Sequence, residues 1–278
     1  MSEHDSFFDM VEYWTIRDYW TQAVKSEVII DMLISDFVGE MLAAQLAMEQ
    51  GKENPKNVAL LAKEFPIKKP GEKRKTKDGR EYLSNDKVDY LIAADKELYL
   101  VELKTTANSY SDEQLDNMED VRKGGISAFW EFFFKVMASK TEKGKGAIDS
   151  KKYINTLFHI EKEAGLPIDD SIKSFKDYSD SIDQRMLSKV QTILSKQYDK
   201  IGIAYICPEK LKGTLSKKDI LFLNLSEFIA PEGSAREKFD ALLSEDKKGE
   251  WRLVAGILSQ CFGTSTLPAL QYRNKNAH

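Results

Sequence analysis

Asp89, Glu102 and Lys104 are the residues of this chain whose types and spacing can do chemistry. They sit in the stretch from Lys87 to Thr106, which is otherwise largely apolar. An ionised carboxylate in apolar surroundings is costly unless it is paired or binds a metal. Magnesium takes oxygen ligands and is typically held by one or two carboxylates, with water and substrate phosphate completing its shell. A neighbouring lysine can orient a water or offset charge that develops at a phosphate. Two acids and one base of this kind suit phosphodiester hydrolysis. The plainer reading is an ion pair between Lys104 and one acid at a solvated strand end, and such pairs are weak. That reading leaves the second acid without a purpose.

The stretch reads as two strands joined by a tight turn at Asp95-Lys96. If the loop is symmetric about that pair, Ala93 faces Leu98, Leu91 faces Leu100, and Asp89 faces Glu102. Directly opposed residues have Cβ atoms roughly 4.5–5.5 Å apart, so the two carboxylates repel. Side chains alternate along a strand, which puts Lys104 on the face of Glu102.

Other elements must position this hairpin. Residues from about 18 to 50 read as helical, with Leu33, Phe37, Met41, Ala44 and Met48 at helical spacing. A short helix is expected from Asn57 to Glu64, then an edge strand at Phe65-Pro66, since proline bars a central position. Residues from 107 to about 200 read as mostly helical. Ser111 opens one helix and Gly124-Gly125 breaks it. The stripe Ile126, Phe129, Trp130, Phe133 and Met137 reads as core rather than a base-stacking surface. A loop is expected from Thr141 to Lys152, and an amphipathic helix from Ser181 to Tyr198 with Ile182, Met186, Val190, Ile193 and Gln197 on one side. Apolar strands follow at Ile201–Cys207 and from Ile220, then helices and a polar tail. This order predicts an α/β fold with a mixed sheet, the strand at Ile201 pairing parallel to a hairpin strand after a helical crossover.

The chain has 278 residues, 42% hydrophobic and 31% charged, with a net charge of −4. Those values describe a globular chain with a sizeable core. No apolar run approaches the roughly 18 to 20 residues of a membrane span, so no membrane partner is expected. The acidic N-terminus lacks a signal-peptide pattern. Cys207 and Cys261 read as reduced core residues, so a cytoplasmic location is expected. Charge is unevenly spread. Lys68 to Arg80 holds seven basic and two acidic residues, a net of +5, which leaves −9 on the remainder. Such a run either contacts phosphates or is simply a solvated loop.

The pattern of Asp89, a twelve-residue gap, and Glu102-Leu103-Lys104 resembles the PD-(D/E)xK nuclease superfamily. Val88 stands where the family's nominal proline would be. The resemblance implies a restriction endonuclease-like αβββαβ core, here a single domain over 1–278 with a mainly helical insertion at about 107–180 and a helical C-terminal segment. It also implies a Mg2+-dependent endodeoxyribonuclease, with Mn2+ able to substitute. Asp89 and Glu102 would then bind metal, the carbonyl of Leu103 would add a ligand, and Lys104 would assist the water. Family members often add an acid from the first helix. Gly39-Glu40, followed by Met41-Leu42-Ala43-Ala44, resembles that arrangement, making Glu40 a further metal ligand, with Glu27 in reserve. Some members carry a glutamine after the lysine strand, a role open to Gln114. Equally, Ser111 and Gln114 form a capping-box pattern in which Gln114 reaches back to its own helix start. Nucleic acid, DNA foremost, is the implied partner. Cutting both strands commonly needs two active sites, hence a homodimer.

Other chemistries lack support. His4, His159 and His278 are scattered, so no zinc cluster is in view. Neither a P-loop nor a dinucleotide fingerprint nor a nucleophile elbow is present. The rival class is a catalytically silent binding protein on the same fold, for example a subunit of a phage-defence or mobile-element system. The net acidic charge suits it.

Overall fold

A computed structural model describes residues 26–50, 55–67, 73–75, 81–83, 86–105, 111–141, 147–167, 172, 174–207 and 219–262. The basic run is thereby described only as the backbone of Lys73–Lys75. Residues 18–25, Thr106 and the polar tail lie outside the described residues.

The order begins with helix α1 (Ser26–Ile34), a 3-10 turn (Ser35–Phe37) and helix α2 (Val38–Gln50). Strands β1 (Val58–Ile67), β2 (Lys73–Lys75), β3 (Glu81–Leu83), β4 (Asp86–Ala94) and β5 (Glu97–Leu103) follow. Then come helices α3 (Asp112–Thr141), α4 (Ala147–Glu163), α5 (Phe175–Ser181) and α6 (Gln184–Gln197). Strands β6 (Lys200–Cys207) and β7 (Ile220–Asn224) precede helices α7 (Leu225–Ile229), α8 (Ser234–Asp240) and α9 (Glu245–Cys261). The main sheet runs β1-β4-β5-β6-β7. Pairing is antiparallel from β1 through β5 and parallel from β5 through β7. The fold is thus α/β with a mixed five-stranded sheet. No helix among the described residues is long and apolar enough to cross a membrane.

The hairpin has the expected register: Tyr90 pairs with Val101, Leu91 with Leu100 and Ala93 with Leu98. Its turn is tight because Asp95 takes a left-handed φ of 52°, a conformation that aspartate tolerates better than most residues. The Asp95 carboxylate also accepts the backbone N–H groups of Lys56 and Asn57, at 3.1 and 3.0 Å, which ties the start of β1 to the turn.

Alternating side chains feed two cores. Leu91, Ala93, Leu98 and Leu100 pack with α3, α4, α5 and α6. Ile92, Ala94, Tyr99 and Val101 pack with α1, α2, α7, α8 and α9. Phe65 lies against Phe129 and Phe133, with ring centroids 5.2 and 4.8 Å apart, so the aromatic stripe of α3 is core. Trp130 and Trp251, both fully buried, anchor opposite faces; truncating either to alanine would cost about 3–5 kcal/mol.

Three expectations change. The segment from Asn57 to Glu64 is not a helix; Val58 onward belongs to β1, where Ala59 pairs with Ala93 and Leu60 with Ile92. A short apolar run fits either period, and long-range pairing decides it. Pro66 does lie on an edge strand. The expected loop from Thr141 to Lys152 is helical from Ala147. The strand that starts at Ile220 stops at Asn224, whose side chain caps α7 by accepting the Ser226 N–H. In α3 the expected break appears as φ 77° and ψ 176° at Gly125, a backbone geometry open mainly to glycine.

Candidate active site

Antiparallel pairing brings the start of β4 beside the end of β5, and the trio gathers there. The β4–β5 ladder runs only as far as Tyr90 and Val101. Beyond that pair the Asp89 carboxylate takes the Leu103 N–H at 2.7 Å. Asp89 is therefore held by the strand that carries Glu102. The opposite strand is distorted at the same level: Glu64, between the Lys63–Tyr90 and Phe65–Val88 pairs, has a φ of 48°. Its carboxylate bridges Lys87 and Lys152 at 2.9 and 3.0 Å, which depresses its pKa to about 2.

Glu102 and Lys104 are 3% and 4% exposed. Glu102 Oε1 accepts from Lys104 Nζ at 3.0 Å and from Gln114 Nε2 at 2.5 Å. Its second oxygen, Oε2, is buried with no hydrogen-bond partner. Buried polar atoms are nearly always paired, so an orphaned carboxylate oxygen calls for an explanation. Burial first, then the charge of Asp89, pushes the Glu102 pKa well up; Lys104 and Gln114 pull against this. Burial also raises Asp89, which the Leu103 N–H and Lys104 oppose and the charges of Glu27 and Asp31 reinforce. The Lys104–Glu102 pair is therefore no solvated surface contact. It lies in the interior, and a second acid faces it.

Gln114 settles between its two expected geometries. The backbone half of the capping pattern forms, since Ser111 Oγ accepts the Gln114 N–H at 3.4 Å. The side chain instead turns away to Glu102. One turn later Asn117 donates to Asp86, which fixes the start of α3 against the start of β4. Thr105, 4% exposed, closes the strand end.

Glu40 is not brought to the trio. Its Oε1 accepts from Lys247 Nζ of α9 at 2.5 Å, and the same ammonium donates to the Asp36 carbonyl at 3.0 Å. Its neighbour Gly39 packs on Val58, where an added Cβ would lie 3.5 Å from Cγ1. Val58 pairs with Ala94 at the turn end of the hairpin. Asp89 stands five residues from Ala94, or roughly 16 Å at ~3.3 Å per residue. The physical reason is distance along the helical segment: Glu40 lies nine residues beyond Asp31, about 13 Å at ~1.5 Å per residue, and so meets the turn end of the hairpin. The acids facing Asp89 come from α1 instead. Glu27, the reserve candidate, is one, and Asp31 is the other. Asp31 accepts from Tyr90 Oη at 2.5 Å and from Lys63 Nζ at 2.8 Å. Sequence reasoning missed Asp31, Tyr90 and Asn117. The i, i+4 spacing of Glu27 and Asp31 beside buried Ile30 and Ile34 was the available signal for Asp31.

Among the described residues, no group of three or more His, Cys, Asp or Glu is arranged to hold a metal ion. Asp89 and Glu102 remain as a carboxylate pair, which suits Mg2+ with its remaining positions filled by water and phosphate oxygens. The orphaned Glu102 Oε2 fits such a ligand. Leu103 presents its N–H to Asp89. No protein-family model, curated protein or solved structure matches the chain.

Proposed function

We propose that this protein is a Mg2+-dependent nuclease of the PD-(D/E)xK type, hydrolysing phosphodiester bonds in DNA. The observation that carries the reading is the buried, unpartnered Oε2 of Glu102, beside a second acid and a lysine. The element order lends support: helix, three antiparallel strands of the main sheet, helices, then a parallel strand follows the αβββαβ arrangement that the residue pattern implies.

Asp89 and Glu102 hold the metal through their carboxylates, with the Leu103 carbonyl as the further ligand implied by the resemblance. The bound ion supplies Lewis-acid polarisation of the phosphate and lowers the pKa of water. Gln114 and Lys104 together fix Glu102 Oε1, so that Oε2 is the atom left to bind. Lys104 Nζ orients the attacking water and offsets the charge that builds on the phosphate oxygens. The interior setting strengthens each of these interactions by excluding solvent.

The test is cleavage of plasmid and linear DNA by the full chain in Mg2+ or Mn2+. Asp89→Ala, Glu102→Ala and Lys104→Ala should each reduce cleavage by about 10²-fold or more, with circular dichroism unchanged. Cleavage that survives all three substitutions sinks the reading. Absence of calorimetric Mn2+ binding by the unsubstituted chain favours the silent binding protein.

A further inference from the structure

We infer that Lys87 and Lys152 form a phosphate-binding subsite beside the trio, with the Glu64 carboxylate standing in for a phosphate of the DNA strand while the protein is free; the inference rests on the nuclease reading above. The two lysines come from different elements, the start of β4 and helix α4. Their ammoniums nevertheless converge on one atom, Glu64 Oε2, at 2.9 and 3.0 Å. Two cations aimed at a single oxygen suit a phosphate oxygen as well as a carboxylate.

The subsite is close to the trio. Lys87 precedes Asp89 by two residues, about 7 Å at ~3.3 Å per residue. Glu64 lies on the rung of β1 level with Asp89, between the Lys63–Tyr90 and Phe65–Val88 pairs, and neighbouring strands stand about 4.8 Å apart. Successive phosphates of one DNA strand advance about 3.4 Å along the duplex axis. A strand with one phosphate at Asp89 and Glu102 therefore brings a neighbouring phosphate within reach of these lysines. Glu64 is also an awkward occupant. Its φ of 48° is left-handed, a region that non-glycine residues enter at a cost, and such strain gathers at functional sites. The side chains of Lys87, Lys152 and Glu64 are 45, 51 and 59% exposed, so a ligand can replace the carboxylate without unpacking the core. An ordinary surface ion pair contributes little and explains neither the second lysine nor the strained backbone.

The test is anisotropy of a short labelled duplex with the full chain in EDTA, over a salt titration, arranged as a double-mutant cycle. Glu64→Gln removes the competing anion and should tighten binding about tenfold at low salt. Lys87→Gln with Lys152→Gln should weaken binding by about tenfold or more and flatten the log–log salt slope by up to about 1.8, at ~0.9 per phosphate contact. Adding Glu64→Gln to that pair should change nothing further, because the carboxylate acts through the two ammoniums. Glu245→Gln removes an acid paired with Lys248 on α9; it controls for net charge and should leave affinity unchanged. All four positions are exposed, so circular dichroism should be the same for every variant. Unchanged affinity in Glu64→Gln overturns the inference. So does an equal gain when both lysines are absent, an equal gain in Glu245→Gln, or failure of both the unsubstituted chain and Glu64→Gln to bind duplex. Failure of the nuclease reading looks different: Glu64 and the two lysines are coupled in binding, but Mg2+ brings no cleavage.

Discussion

Glu102→Gln should make the metal-free protein more stable at alkaline pH while removing its metal response. The substitution keeps the shape and an oxygen for Lys104 and Gln114 to donate to, and it deletes the ionisation. Burial and Asp89 raise the Glu102 pKa in the folded chain. An unfolded glutamate titrates near 4.3 (roughly). Below that value both states are protonated, and Glu102 costs nothing relative to glutamine. As pH rises towards the folded value the unfolded chain binds fewer protons than the folded one, so stability falls. A tenfold change in an ionisation constant corresponds to about 1.4 kcal/mol, and the rise at Glu102 exceeds tenfold. The gain at pH 8.5 is therefore at least about 1.4 kcal/mol. For chains of this size 1 kcal/mol moves Tm by roughly 2–4 °C, so Glu102→Gln should melt at least about 3 °C higher at pH 8.5 and within a degree or so of the unsubstituted protein at pH 4. Adding Mn2+ at a hundredfold excess over Kd should stabilise the unsubstituted protein by about 2.7 kcal/mol and leave the variant unmoved. Scanning calorimetry in EDTA and then in Mn2+ reads both effects. An equal or lower Tm for the variant at pH 8.5 in EDTA would refute the reasoning, because Glu102 would then be satisfied as an anion.

Two further outcomes follow from individual contacts. Gln114→Ala removes a donor from Glu102 Oε1. It should cost about 1 kcal/mol of stability and move the onset of Mn2+ binding to higher pH in a calorimetric pH series; an unmoved onset would make Gln114 purely structural. Gly202→Ala would place a Cβ 2.4 Å from the Tyr99 ring, whose hydroxyl donates to Glu97 at 2.7 Å. The urea midpoint should fall by an amount equivalent to about 1–3 kcal/mol, and an unchanged midpoint would mean the ring moves aside freely.

Legibility in the sequence tracked how local the deciding interaction was. The hairpin register could be counted because Asp95-Lys96 marks the turn and alternation does the rest. The parallel placement of β6 followed from the long helical crossover. The strand from Val58 could not be told from a helix, because its pairing partner lies about 30 residues away in β4. Gln114 was ambiguous for a related reason: its capping partner is local, whereas Glu102, which it bonds, belongs to another element. Glu40 was favoured over Glu27 because Gly39-Glu40 before Met41-Leu42-Ala43-Ala44 resembles the family's helix pattern, a local likeness that carries no information on which end of the hairpin that part of the helix meets.

The two carboxylates are unequal, and the inequality bears on the chemistry. Asp89 has a backbone N–H on one oxygen. Glu102 has two donors on Oε1 and none on Oε2. Two adjacent acids in a poorly solvated place cannot both ionise cheaply. Burial and the charge of Asp89 push Glu102 up, so Glu102 is the acid expected to keep a proton when no metal is bound, at the oxygen that lacks a donor. A cation held by the two acids would have to displace that proton, so binding should release a proton and tighten with rising pH. An ion pair with Lys104 alone would behave the opposite way. It would hold Glu102 ionised below neutrality, release nothing when Mg2+ is added, and leave Asp89 as an unexplained second charge.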